Sequence, residues 1–206
     1  MNDYRTVQNQ GEDEIVEKKS RFIASVAPCK TEAEAIAFLS DVKKHFSDAS
    51  HNVYAYVCRD NNSRRYSDDG EPQGTAGIPV LDVILKEGLT DICVVVTRYF
   101  GGTLLGAGGL VRAYTKAAKA GIDAAKPVDM ILSDVFTVST DYSDLGKLQY
   151  EISQNGFTMM NTEFDSGVTL TVCTETARGG ELIKRLTECS CGRAVITKTD
   201  TCFVSR

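Results

Sequence analysis

Hydrophobic positions along the chain change their period several times, and each change marks an element. From Ile15 to Ala27, IVEKKSRFIASVA reads as two short strands around a turn, or one bent strand. TEAEAIAFLSDVKKHF then moves to helical spacing: Ala35, Leu39, Val42 and Phe46 fall on one face, and Thr31 and Glu34 are spaced as a capping box. NVYAYVC alternates Val53, Ala55 and Val57 against Tyr54, Tyr56 and Cys58, as a strand does, and RDNNSRRYSDDGEPQG after it is dense in turn residues. TAGIPVLDVILKEG predicts a short helix with Thr75 as its cap. ICVVVT is apolar and β-branched without alternation, which predicts a strand covered on both faces.

That strand runs into TRYFGGTLLGAGGLVRAYTK, residues 97–116, which holds five of the chain's 17 glycines. Past the glycines, Leu110, Tyr114, Ala117 and Gly121 describe one row of a helix, and Val111, Ala118, Ile122 and Ala125 the next. Small residues dominate both rows, so the helix can lie very close to a sheet. Pro127 ends it.

Beyond about residue 133 a second pattern begins. FTVSTDY, SDLGKLQYEISQNG, FTMMNTEFD, GVTLTVCTE, GGELIKRLTEC and RAVITKTDT read in order as β-α-β-β-α-β, the split βαβ of a ferredoxin-like domain. Pro127-Val128-Asp129-Met130 is the expected boundary, giving domains at 1–130 and 131–206.

Length and composition support this division without altering it. A chain of 206 residues, 42% hydrophobic and 25% charged with four prolines, is that of a folded globular protein. The polar amino terminus has no signal-like apolar core, and DICVVVTRYF is too short to span a membrane, so a cytoplasmic location is expected. The seven cysteines are scattered and odd in number, which predicts reduced thiols. Cys189-Ser-Cys191 has no second pair, and His45 and His51 are remote from it, so no metal is expected. The net charge of −5 excludes a general polyanion binder and confines any nucleic-acid contact to a local patch.

The glycine stretch is the first candidate for that patch. Between a strand and a helix, backbone N–H groups and the helix dipole can meet an anion. It lacks the Gly-Lys-Ser/Thr ending of a phosphate-binding loop, and Val111 stands where a dinucleotide fingerprint needs its last glycine. The glycines also serve a pure packing role equally well. Arg98 at the strand end, with Arg112, Lys116 and Lys119 on one helix face, would add a basic ridge. The second candidate is SDDGEPQGTAGIP, residues 67–79, where Asp68, Asp69 and Glu71 surround Gly70. They have no calcium-loop spacing, so pairing with the arginines or turn formation is expected ahead of metal binding or catalysis. His51 has no nucleophile nearby in sequence, and no Gly-x-Ser-x-Gly elbow is present.

Four segments together resemble the YigZ/IMPACT family: KKSRFIA at 18–24, His51 followed by Ala55-Tyr56, DDGEPQGTAGIPVL at 68–81 and VVVTRYFGGTLLGAGGLVRAY at 94–114. The resemblance implies an α/β (α+β) protein. Its first domain would be an α/β sandwich of the ribosomal-protein type, like domain IV of elongation factor G, and its ferredoxin-like second domain would be similar to domain V. Eukaryotic relatives carry the first domain behind a different partner-binding domain and act in starvation control of translation. That pathway is not carried over to this chain. The resemblance implies no catalytic residues and no cofactor.

These readings lead to an expected translation-associated regulatory protein that binds RNA, the ribosome or a ribosome-bound factor. Anion contacts are expected from Arg98, Tyr99, Gly101, Gly102, Gly106, Gly108, Gly109, Arg112, Lys116 and Lys119, with His51, Asp68, Asp69, Glu71 and Thr75 in support. Arg98 and Arg112 would fork onto phosphates while Tyr66 or Tyr99 stacks on a base. A kinase-like nucleotide enzyme and a protein-protein module are the alternatives. The first is opposed by Leu110, Val111 and Arg112, which stand where such kinases carry serines. Neither a membrane nor a specific DNA sequence is an expected partner.

Overall fold

The structure, a computed structural model, describes residues 3–206. Its packing divides them into two units, Tyr4–Asp129 and Met130–Arg206, Asp3 belonging with the second. The architecture is α+β, with two antiparallel sheets, as the sequence predicts.

In the first unit the strands are β1 (Tyr4–Val7), β2 (Gly11–Glu17), β3 (Ser20–Pro28), β4 (His51–Cys58), β5 (Ser63–Ser67) and β6 (Ile92–Tyr99). Its helices are α1 (Glu32–His45), α2 (Gly77–Lys86) and α3 (Ala107–Ala124). The sheet runs β2-β3-β6-β4-β5 with every neighbour antiparallel. Side chains alternate between its faces. Phe22, Ala24, Val26, Val53, Ala55, Val94 and Val96 pack towards α2 and α3. Tyr56, Cys58, Cys93 and Val95 pack towards α1. Helices on both faces explain why the central strand β6 is apolar from Ile92 to Val96.

Several local expectations shift. β5 forms inside the turn-rich segment, and it escapes period reading because Arg64, Arg65 and Tyr66 are all exposed on this edge strand. Asn61 and Asn62, at φ 53° and 49°, supply the left-handed residues of the β4–β5 connection. At α1 the Glu34 N–H donates to Thr31 Oγ1 at 3.2 Å, but the Glu34 carboxylate accepts from the Lys30 N–H at 2.7 Å instead of closing the box on Thr31. On α3, Val111 is exposed and Ala113 takes the buried place.

The second unit comprises β7 (Pro127–Thr140), α4 (Tyr142–Gln154), β8 (Thr158–Phe164), β9 (Val168–Glu175), α5 (Gly179–Cys189) and β10 (Val195–Ser205). Pro127–Met130, expected as a boundary segment, is thus the beginning of a strand. The order β10-β7-β9-β8, antiparallel throughout, is the ferredoxin-like arrangement. Its core joins Phe136, Val138, Leu170 and Val172 of the sheet to Leu148 and Ile152 of α4 and Leu182 and Leu186 of α5. No helix among the described residues is long and apolar enough to cross a membrane.

Two helical glycines show how packing overrides propensity. A Cβ on Gly121 of α3 would lie 2.7 Å from Ala24 Cβ and 2.8 Å from Ala24 O, so α3 touches β3 there through bare backbone. A Cβ on Gly146 of α4 would meet nothing within 4 Å. Gly121→Ala is therefore expected to destabilise by about 1–3 kcal/mol through overpacking, while Gly146→Ala stabilises by about 0.5–1 kcal/mol through helix propensity. Urea unfolding of both variants checks the opposite signs, and a stabilised Gly121→Ala protein contradicts the close contact.

Candidate functional site

The site begins where β6 ends. Gly101 is required because a Cβ there would fall inside the backbone of Lys19 and Ser20, and its N–H donates to Ser20 Oγ at 3.1 Å. The glycine loop is thereby held against the β2–β3 turn. Gly106, at φ +71°, turns the chain into α3 in a conformation that other residues adopt only under strain. Gly102 and Gly108 are exposed on this loop and first turn, and Gly109 is half-buried against Leu105.

The acidic segment before α2 folds towards the end of β6, and each of its carboxylates has a separate task. Asp68 accepts backbone N–H bonds from Gly74 at 2.9 Å, Ala76 at 3.1 Å and Gly77 at 2.8 Å. Asp68, not Thr75, therefore caps α2; the Thr75 hydroxyl instead donates to Pro72 O at 2.6 Å. Asp69 takes the Asn52 N–H at 2.6 Å and Lys43 Nζ at 3.0 Å, tying the turn to β4 and α1. Glu71 turns inward, where its Oε1 accepts from Arg98 Nη1 at 2.6 Å and from the Tyr114 hydroxyl at 2.7 Å.

Glu71 and Arg98 are 8% and 5% exposed, so their pair stands in a low-dielectric setting. Burial, then the Glu71 charge, pushes the Tyr114 hydroxyl far above the usual tyrosine range and keeps it a neutral donor. His51 Nδ1 lies 2.8 Å from the carbonyl of Asp69. A carbonyl only accepts, so Nδ1 carries the proton and Nε2 faces Glu71 Oε2 at 4.0 Å. The Arg98 guanidinium sits 5.3 Å from the Phe22 ring centroid and 5.6 Å from that of Phe100. Its Nε is buried with no hydrogen-bond partner among the described residues.

The structure thus brings together Arg98, His51, Asp69, Glu71 and Asp68, and it separates Arg98 from the expected basic ridge. Arg98 is buried and neutralised by Glu71. Lys119 is engaged by Glu87 at 3.0 Å and Asp123 at 2.7 Å, which raise its pKa. Tyr99 donates to Asp48 at 2.7 Å and lies under Arg21. Only Arg112 and Lys116 of the ridge are exposed and without an ion-pair partner among the described residues. Lys18 and Lys19 of the β2–β3 turn join them, equally exposed and equally unpaired. Lys18, Lys19 and Tyr114 were already visible as KKSR and as the tyrosine of LVRAY, but nothing in their spacing announces these contacts.

A cleft of about 420 Å³ opens over the buried group, between His51, Glu71 and Arg98 on one side and Phe100, Leu104 and the start of α3 on the other.

Comparison with known proteins finds two matching sequence families. The Impact N-terminal domain covers residues 18–122, and a domain of unknown function, DUF1949, covers residues 138–193. The IMPACT family member YvyE of Bacillus subtilis is 38% identical over 207 residues, covering 100% of this chain and 95% of that protein. YigZ of Escherichia coli is 33% identical, over 85% of this chain and 87% of its own. Protein IMPACT of Bos taurus is 34% identical over 98 residues, 45% of this chain and 30% of that protein. A crystal structure described as that of a hypothetical protein superposes with a TM-score of 0.61 at 30% identity, covering 97% of this chain and 98% of that one.

The two roles of the acidic turn are separable. Asp68→Ala strands three backbone donors, and is expected to cost about 2–4 kcal/mol in urea unfolding, against about 1 kcal/mol for Thr75→Ala. Equal losses would return the cap to Thr75. Tyr114 has a raised folded-state pKa, so its contribution is fully present below the unfolded tyrosine value of about 10 and is lost as pH rises beyond it. Tyr114→Phe is expected to flatten the alkaline fall in stability, and an unchanged slope contradicts the buried hydroxyl.

Proposed function

The chain belongs to the IMPACT family, and on that footing we propose that it is a translation-associated regulatory protein whose first domain binds RNA on the ribosome. The observation that supports this most is the cluster of exposed, unpaired cations around the glycine loop of an otherwise acidic chain. β2 starts against the end of α3, where Gly11 packs on Ala125, and the β2–β3 turn meets Gly101 beyond β6. Lys18 and Lys19 are therefore carried to the glycine-loop end of the domain, where Arg112 leans back to within 3.8 Å of the Cβ position of Gly108. Lys116 follows one turn along the same helix.

Phe100, half exposed beside these cations, offers a ring on which an unpaired base can stack, the combination used for single-stranded RNA. Tyr66, exposed on β5 over Gly77, is a second such ring. Arg98 has no part in phosphate contact from outside, because Glu71 already holds it. The surrounding acidic surface confines the contact to this patch and repels RNA elsewhere.

Four phosphate contacts to a single strand give a slope of about −3 in log affinity against log salt, or about 50-fold weaker binding between roughly 50 and 200 mM salt. Co-sedimentation with ribosomes across a salt series measures this. Lys18→Ala/Lys19→Ala is expected to reduce the slope by about 1.4, with the fold unchanged because both side chains are in water. Salt-independent binding, or binding that survives nuclease digestion of the RNA, would transfer the surface to a protein partner and overturn the proposal.

A further inference from the structure

We infer that the cleft over the buried ion pair is a pocket for one unpaired guanine base of the RNA, read by two acceptor atoms, Glu71 Oε2 and His51 Nε2. The inference rests on the RNA-binding proposal for the source of the base and uses none of its cations. Glu71 Oε1 takes both bonds of the buried group, from Arg98 Nη1 and the Tyr114 hydroxyl, and Oε2 takes none among the described residues. His51 Nδ1 gives the ring proton to Asp69 O. Nε2 of the neutral ring is left as a second acceptor, also unbonded.

Both atoms are open to the cleft. Among the described residues, the buried side-chain nitrogens and oxygens that lack a partner are Arg98 Nε and Thr140 Oγ1. Oε2 and Nε2 lack one too but are not sealed in this way, so each keeps contact with solvent, and the cleft is the opening that both residues line. They stand 4.0 Å apart, beyond hydrogen-bond reach of each other. Two acceptors so placed, one of them the second oxygen of a carboxylate whose side chain is 3% exposed, call for donors from outside the protein.

Charge and shape select the donor. Arg98 already neutralises Glu71 at 2.6 Å, so an ammonium is attracted by one and repelled by the other, whereas a neutral N–H gains a charge-assisted bond to the carboxylate. Guanine alone among the four bases presents two adjacent donors, N1–H and the N2 amino group, on one edge. Adenine and cytosine set one amino group beside a ring acceptor, and uracil sets one N–H between two carbonyls. The other walls, Pro72, Phe100, Leu104 and Leu110, are apolar, and the half-exposed Phe100 ring offers a face for the purine. The cleft, about 420 Å³, is within the size range of small-molecule sites.

Nitrogen–proton spectra of the full chain, including the long-range histidine ring correlations, test the pocket when titrated with guanosine, which carries no phosphate, in a mildly alkaline buffer that keeps imidazole neutral. The expected result is a saturable shift of the His51 ring nitrogens and of the Phe100 and Leu105 amides, with a dissociation constant of about 0.1–1 mM. Inosine, which lacks the N2 amino group, is expected to bind about tenfold more weakly, and uridine to leave these signals in place. His51→Phe keeps a ring and removes Nε2, so guanosine should fall to the inosine level. The inosine comparison uses the unaltered protein and stands even if that variant unfolds. A short oligouridylate with one central guanine should bind about tenfold more tightly than its all-uracil counterpart, and Lys18→Ala/Lys19→Ala should weaken both alike with their ratio kept. Equal binding of guanosine and inosine, shifts that miss His51, or an oligonucleotide ratio near one would each overturn the inference. Guanosine selectivity intact beside oligonucleotide binding that ignores the two lysines would support the pocket and overturn the outer RNA surface alone.

Discussion

The first domain is organised around one buried ion pair. Placing Glu71 and Arg98 beneath a sheet end costs several kcal/mol per charge, and their attraction offsets this only when the remaining polar atoms are also bonded. Tyr114 adds one such bond from α3, reaching the same oxygen that Arg98 uses, while Arg98 Nε stays without a partner among the described residues. Glu71 is aimed inward because its own N–H is held by the Asp68 carbonyl at 2.9 Å, in a turn fixed on one side to α2 and on the other to β4 and α1. One charge pair therefore fastens four elements to the end of β6. Losing either partner would leave an uncompensated buried charge.

The pair also divides the glycine stretch into two functions. Its first arginine is scaffold and its second is surface. Between them, Gly101 presses the loop onto the β2–β3 turn, and Gly106 swings the chain into α3 at the edge of the cleft. The glycines thus serve close packing at Gly101 and a left-handed turn at Gly106 in the same short segment. The physical division between inward and outward cations matters more than their total number, since the chain as a whole is acidic at −5.

Much of the fold was legible because periodicity and burial agree. The helical rows of α1 and α3, the double-sided apolar run of β6 and the order of the second unit all follow from which faces are covered. β5 was not legible, since an exposed edge strand needs no alternation. Within the site, acid–arginine pairing was one of two readings left open for Asp68, Asp69 and Glu71. Sequence could not say that Glu71 alone would take Arg98, because that depends on a turn geometry set by Asp68. Of the two carboxylates that separate Lys119 from Lys116, Asp123 lies four residues on along the same helix, whereas Glu87, just past α2, is remote in the chain and escapes sequence reading. The cap of α2 was misassigned to Thr75 for the same reason: the acceptor arrives from the preceding turn.

The measurement that bears most directly on this account is the unfolding free energy of Arg98→Ala beside that of Arg112→Ala, with ribosome binding recorded for each. A structural Arg98 and a surface Arg112 predict a loss of about 3–5 kcal/mol for the first and within about 0.5 kcal/mol of no change for the second, while only Arg112→Ala weakens binding at matched folded concentration. Equal stabilities for the two variants, with binding lost in Arg98→Ala alone, would contradict it.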